Sequence, residues 1–408
     1  MEEKSHEKDR EKLARDGQGC DLSAMSQVPD FIPLSVPEIT AADQARVQAA
    51  LASGWVSSAG PWVADFERQM AEALGSPYAV AVNSGTAALH LSLRLAGVQP
   101  GDWVLLPDLT FVAPANAVRY CGAEPLLVDV EPTHWQMDVD LLRAWLARDC
   151  ERVQGQCRHR PTGRRVAALL AVHLLGYAAP VDQLADLAAA YQLTLVEDAA
   201  EAVGSRLHGR ALGTWGTLGC LSFNGNKLLT TGGGGMILTA DAELAAQARH
   251  LSTQARREAF TYYHDAVGYN YRLSSLAAAL GLSQLARLDE TLRRKTALAG
   301  RYRAALPDLI WPQPLPGSQP NYWLMTAQLP DRDAAARRLQ AHQIDCRTLW
   351  TPMHRLPMYA GCSFVTQDRV SERLFERALS LPSSVGLTEA RQQRVIDVLR
   401  ASDRQRTM

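Results

Sequence analysis

From about residue 77 to 250 the chain alternates short, uninterrupted apolar runs with longer amphipathic ones, and this alternation limits its fold more than any other feature. Tyr78-Ala79-Val80-Ala81-Val82 reads as a buried strand, and Ser84 to Leu95 as a helix with Leu89, Leu93 and Ala96 on one face. Trp103 to Leu106 is the next strand and Phe111 to Tyr120 the next helix. Pro125 to Asp129 and Val166 to Val172 are strands, Val181 to Tyr191 is a helix, and Leu193 to Val196 is a fifth strand. Cys220 to Phe223 and Met236 to Thr239 complete the series, and Asp241 caps a helix reaching about Leu251. Strands apolar at every position, with helices between them, need a mostly parallel sheet covered on both faces, so the fold class is α/β.

Ligands of such sheets bind outside the carboxyl ends of the strands. Asn83, Ser84, Asp108, Glu197, Asp198 and Ser222 all fall at or just past strand ends and converge on that rim. Beyond the sheet, Asp289 to Arg303 reads as a charged linking helix and Pro307 to Pro320 as a proline-rich loop. Asn321 to Leu329 reads as a strand and Arg332 to His342 as a helix. The expected organisation is a disordered tail over 1–28, a large domain over 29–288 and a small α+β domain over 289–408.

Charge and cysteine usage narrow the function. A formal net charge of -1 gives no overall attraction to nucleic acid or membrane. The longest apolar stretch, Val166 to Ala179, is interrupted by His173 and Gly176 and is too short to span a bilayer. The first residues mix both charge signs without an apolar run, which argues against a secretory signal and for a cytoplasmic enzyme. Seven cysteines, an odd number without a C-x-x-C pair, argue against a disulfide framework and against a zinc site, and no metal is expected.

Three constellations on the rim carry chemistry. Asn83-Ser84-Gly85-Thr86-Ala87-Ala88 joins a strand to a helix, where free N–H groups and the positive end of the dipole suit a phosphate; taken alone, the segment reads better as a simple N-cap. Asp198 ends an apolar run, as a carboxylate paired with a pyridinium nitrogen does, and as a helix-capping aspartate also does. Phe111, following Asp108-Leu109-Thr110, has the face to stack on a ring, but taken alone it reads as a core phenylalanine. Lys227 follows Ser222-Phe223-Asn224-Gly225-Asn226 and precedes Thr230-Thr231-Gly232-Gly233-Gly234-Gly235. A lysine after a strand-end aspartate and before a glycine run points to a Schiff-base amine for pyridoxal phosphate, although most lysines are solvated surface residues.

At these residues the chain resembles the nucleotide-sugar aminotransferases of the DegT/DnrJ/StrS type, pyridoxal phosphate enzymes of the aspartate-aminotransferase fold (fold type I). The resemblance spans about residues 31 to 400. It rests on Asn83 to Leu89, Glu197-Asp198-Ala199-Ala200-Glu201-Ala202, Ser222 to Met236 and Gly268-Tyr269-Asn270-Tyr271-Arg272-Leu273. It implies that Lys227 forms the Schiff base, that Asp198 pairs the pyridine nitrogen and that Glu201 lies near the phenolic oxygen. It also implies that Gly85, Thr86 and Ser222 bind phosphate, joined by Asn270 of a second copy across a homodimer with shared sites. Phe111 would stack on the ring. Glu201 stands where many relatives have glutamine or histidine, and Tyr177 replaces a polar residue common there.

Within that family, Asn224-Gly225-Asn226-Lys227, Thr253-Gln254-Ala255-Arg256 and Thr348 to Tyr359 look most like enzymes of the legionaminic acid route. Those enzymes aminate carbon four of a UDP-linked 4-keto-6-deoxy-N-acetylhexosamine. The resemblance implies L-glutamate as amino donor and substrate contacts from Asn224, Tyr177 and His354. A sugar dehydratase of the same fold would carry histidine in place of Lys227, and a non-catalytic regulator would not need the lysine, the aspartate and the phosphate residues together.

Overall fold

A ten-stranded sheet forms the centre of the molecule. In this computed structural model residues 30–258 and 260–406 are described, and the expected tail over 1–28 lies outside them. The core strands are β1 (Tyr78–Val82), β2 (Trp103–Pro107), β3 (Glu124–Val128), β4 (Arg165–Val172), β5 (Thr194–Asp198), β6 (Leu218–Ser222) and β7 (Gly235–Thr239). Across the sheet they run β1-β7-β6-β5-β4-β2-β3. β7 is antiparallel to both neighbours, and every other pair in this series is parallel. The hairpin Cys150–Val153/Gln156–His159 adds to β4, and Phe364–Val365 adds to β3.

The apolar runs are continuous because each strand feeds two cores. Ala79 and Ala81 of β1 face one cluster, with Phe66, Met70, Leu105, Leu169, Leu195 and Leu221. Val80 and Val82 face the other, with Leu91, Leu106, Leu170, Val196 and Ile237. The side-chain period of two divides every strand between the two helical layers. The first of these helices on the rim is α1 (Gly85–Leu95), capped by Ser84, whose Oγ accepts from the Ala87 N–H at 3.0 Å.

A second core lies around α2 (Leu288–Ala305) and a small antiparallel sheet of Met325–Gln328, Ala378–Leu381 and Arg347–Thr348. The chain divides between the two bodies less simply than a cut at residue 289. Ile32 packs in this second core with Leu298, Tyr302 and Met325, and its N–H and C=O bond Gln343 and Asp345 at 2.9 and 2.8 Å. Conversely, Met353 and Tyr359 join the large core, and Phe364–Val365 is a strand of the large sheet. The small domain is therefore built from both ends of the chain, and part of 289–408 belongs to the large one.

Lys295 of α2 is 1% exposed, and its Nζ donates to the carbonyls of Trp323, at 2.9 Å, and Ser383. Burial pulls its pKa down to about 7. A neutral amine has two N–H groups, and the two carbonyls take both. With the folded pKa below the unfolded one, the unfolded chain binds the extra proton between about pH 7 and the ordinary lysine range, so this group makes stability rise with pH there. The melting-temperature advantage of the wild type over Lys295→Met is expected to widen from about pH 7 to about pH 9. A constant difference would count against a buried neutral amine.

Candidate active site

The rim expected from the strand ends exists, and its centre is the loop after β6. Phe223 is fully buried and meets Phe66 edge-on at 5.3 Å. Its N–H donates to Gly234 O at 2.8 Å and its C=O accepts from Thr231 N–H at 2.9 Å, so residues 224–230 form a loop tied at its neck. Inside it, Lys227 N–H donates to Asn224 O at 3.0 Å. The turn sends the lysine side chain inward, where it is 13% exposed.

Three ionisable groups meet there. Lys227 Nζ is 3.8 Å from Glu201 Oε1. Asp198, buried at the end of β5, accepts from Ala200 N–H at 3.0 Å through Oδ1. Glu201 Oε2 accepts from Leu175 N–H at 2.7 Å. Burial dominates all three: it raises Asp198 despite Lys227, lifts Glu201 to about 7, and lowers Lys227 despite both carboxylates. Two carboxylates against one amine leave the cluster short of positive charge. A cationic group such as a protonated ring nitrogen would supply what is missing.

The turn into α1 lies against the same loop. Among the described residues, the N–H groups of Gly85 and Thr86 meet no acceptor, because Ser84 Oγ takes only the Ala87 N–H. Ser222 closes the cradle: a Cβ on Gly85 would lie 2.8 Å from Ser222 Cβ, so glycine is needed for this approach. Two free N–H groups, a helix dipole end and a hydroxyl suit a phosphate dianion. Phe111 is 50% exposed beyond the end of β2, which takes it out of the core and leaves a ring face free. Asn224 and Asn270 are also exposed, and Asn270 O accepts from Asn83 Nδ2 at 3.1 Å.

Two expected substrate contacts have other work in this structure. Tyr177 is 2% exposed, its hydroxyl accepts from Arg303 Nη2 at 3.0 Å, and its ring meets Tyr322 edge-on. His354 has both ring nitrogens engaged, Nδ1 2.7 Å from Asp108 Oδ2 and Nε2 3.1 Å from Glu372 Oε1, with Phe364 stacked on it at 4.4 Å. Both side chains tie the sheet rim to the later chain, through partners far away in sequence. Asp108 is spent in the same tie, accepting also from Ser371 Oγ at 2.6 Å.

Glu197 leaves the rim as well, since neighbouring strand residues face opposite ways. Its carboxylate accepts from the N–H groups of Gly213, Trp215 and Gly216 and lies 2.9 Å from His173 Nε2. The N–H of Ala179 donates to His173 Nδ1, so the ring proton sits on Nε2 and is given to Glu197. The sequence reading missed Trp323, whose ring centroid is 3.8 Å from Lys227 Nζ. No periodicity marks it, because it enters from the small domain.

Pyridoxal phosphate is at once a phosphate ester, an aldehyde and a basic ring, and the amide cradle, the Lys227 amine and the Asp198 carboxylate would suit those three parts together. With this sheet order and a small domain built beside the rim, those groups define a pyridoxal phosphate-dependent aminotransferase of the aspartate-aminotransferase fold. The chain belongs to the DegT/DnrJ/EryC1/StrS aminotransferase family, whose model matches residues 37–400. It is 38% identical to EpsN of Bacillus subtilis, over 90% of this chain and 95% of that one. It is 36% identical to GDP-perosamine synthase of Caulobacter vibrioides, over 92% and 99%. Among solved structures, the aminotransferase TlmJ from Streptoalloteichus hindustanus superposes with a TM-score of 0.84 at 33% identity, covering 93% of this chain and 100% of that one.

The chain's lysines are Lys4, Lys8, Lys12, Lys227 and Lys295. Of these, Lys227 and Lys295 fall among the described residues, and Lys227 is the one at the rim. No described helix is long and apolar enough to cross a membrane.

Proposed function

We propose that this sugar aminotransferase moves the amino group of L-glutamate to carbon four of a nucleotide-linked 4-keto-6-deoxy sugar, with UDP-4-keto-6-deoxy-N-acetylhexosamine as the leading acceptor. The observation that carries the transfer chemistry is the buried Lys227 amine beside Asp198 and Glu201. Bound pyridoxal phosphate supplies an electron sink through which an amine can be exchanged for a carbonyl oxygen.

The chain's own groups do the rest. Lys227, its pKa lowered by burial, keeps a larger share of neutral amine than a solvated lysine and so serves as nucleophile and proton carrier. Asp198 holds positive charge at the ring nitrogen. The Gly85 and Thr86 amides and the Ser222 hydroxyl hold the phosphate, and Phe111 covers one ring face. Glu201, with its pKa near 7, can hold or release a proton beside the phenolic oxygen. Asn224, exposed at the loop, is a candidate for sugar contact, alongside Tyr177 and His354.

Asn270 reaches a phosphate site from a second copy of the chain in this reading. Exposed Phe260, Tyr262 and Val267 on the preceding segment give that copy an apolar surface to cover.

Support for carbon four comes from relatives' names. A Saccharopolyspora spinosa protein, 31% identical, is named dTDP-4-dehydro-2,3,6-trideoxy-D-glucose 4-aminotransferase. A second reading, amination at carbon three, is favoured by the 34% identical UDP-N-acetyl-3-dehydro-alpha-D-glucosamine 3-aminotransferase of Acidithiobacillus ferrooxidans. A panel of UDP-, GDP- and dTDP-linked 4-keto and 3-keto sugars with glutamate separates the two. The expected product is a 4-amino sugar, with the UDP-N-acetyl substrate turned over fastest. Exclusive turnover of a 3-keto sugar would overturn the carbon-four reading.

A further inference from the structure

Trp323 brings the small domain onto the reacting amine. Trp323 faces Lys227 Nζ at 3.8 Å from the ring centroid, on a side of the amine that the resemblance leaves unassigned. Its position is fixed from four directions. The indole N–H donates to Asn226 O at 2.8 Å, one residue before the lysine. Trp350 stacks on the ring at 6.3 Å with 9° between planes. The backbone N–H donates to Asn321 Oδ1 at 2.9 Å, and the carbonyl accepts from Lys295 Nζ at 2.9 Å.

The chain bends sharply to achieve this. Tyr322 has a φ of 52°, a left-handed conformation unfavourable for a bulky residue. Asn321, on its other side, is buried and donates through Nδ2 to the carbonyls of Glu201 and Val203, both at 2.9 Å. Gly176, with φ at 85°, lies so close to Asn321 Oδ1 that any side chain there would overlap it. Strain held by so many bonds at a reacting group marks a position that the fold maintains rather than tolerates.

We propose that the indole face of Trp323 is the docking place of the free Lys227 amine, and that Lys295 and Asn321 are positioning residues holding the indole there. An aminotransferase lysine is released when the cofactor carries the amino group, and a four-carbon side chain so released has many rotamers. Tryptophan offers a cation the best of the aromatic faces. Between that face and Glu201, the ammonium stays close to the atoms it must next serve, so Trp323 acts on the same amine as the aminotransferase reading and rests on it.

The test reads the amine itself. Full-length protein loaded with pyridoxamine phosphate, which leaves Lys227 free, is acetylated briefly with acetic anhydride across a pH series. Mass mapping gives the labelling midpoint of Lys227, with an added short lysine peptide as reference. Trp323→Leu is expected to lower the Lys227 midpoint by about 0.5 to 1.5 pH units. Trp323→Phe should lower it less, because a weaker face remains. Lys295→Met, which touches no atom of Lys227, should move it in the same direction. Should Trp323→Leu fail to fold, the other two variants decide. Midpoints within about 0.2 unit of wild type in the folded variants would overturn the proposal. Labelling reports protonation whether or not any sugar reacts, so an unchanged midpoint is distinguishable from a wrong acceptor or donor.

Discussion

Lys227→Ala is expected to slow amino transfer by at least about 10³-fold while the protein stays folded. The amine is the nucleophile and proton carrier of the proposed reaction, and no neighbour can replace it. Lys295, the other described lysine, is directed at the carbonyls of Trp323 and Ser383. The variant should also fold well for an electrostatic reason. Burying the Lys227 charge is unfavourable, and Glu201, whose pKa is already near 7, can take up a proton once the cation is gone. Single-turnover conversion of keto sugar, run beside a thermal melt, checks both halves. Activity within about tenfold of wild type in a folded variant would remove Lys227 from the chemistry.

Asp198→Asn carries the second large effect. An opposite charge at contact distance raises a base's pKa by about one to three units, so in the proposed site the carboxylate would keep the ring nitrogen protonated where an amide would not. Transfer should fall by about 10- to 10³-fold. The deficit has a definite pH dependence. At low pH the ring nitrogen is protonated with or without Asp198, and as pH rises only the carboxylate retains that proton. The ratio of wild-type to variant kcat/KM is therefore expected to grow from about pH 6 to about pH 9. A small ratio that does not change with pH would mean that Asp198 does not act on the ring nitrogen.

Much of this site was legible because it is local. Strand ends declare themselves by the stop of an apolar run, and Gly85, Asp198, Ser222 and Lys227 each stand within a few residues of one. What a residue does with its side chain was legible only where its partner is near in sequence. Tyr177 finds Arg303, and His354 finds Asp108, across long separations that no motif encodes. Glu197 was misplaced for a simpler reason: it shares a strand with Asp198 and so faces the other way.

The same limit governs the fold. Continuous apolar runs revealed the doubly covered sheet, but the reversal of β7 depends on connections that periodicity does not carry. Phe364–Val365 is too short to read as a strand and exists because β3 offers an edge. Ile32 and Trp323 each cross between bodies, one from the start of the described chain into the small core, the other from the small domain onto Lys227.

In the proposed reaction everything depends on Lys227 being the amine that bonds the cofactor. Borohydride reduction of the protein loaded with pyridoxal phosphate, followed by peptide mass mapping, tests it directly, since the chain has few lysines to confuse. One phosphopyridoxyl adduct is expected, on the peptide containing Lys227. An adduct on Lys295, Lys4, Lys8 or Lys12 in its place, or a Lys227→Ala protein that loses none of its label capacity, would overturn that assignment.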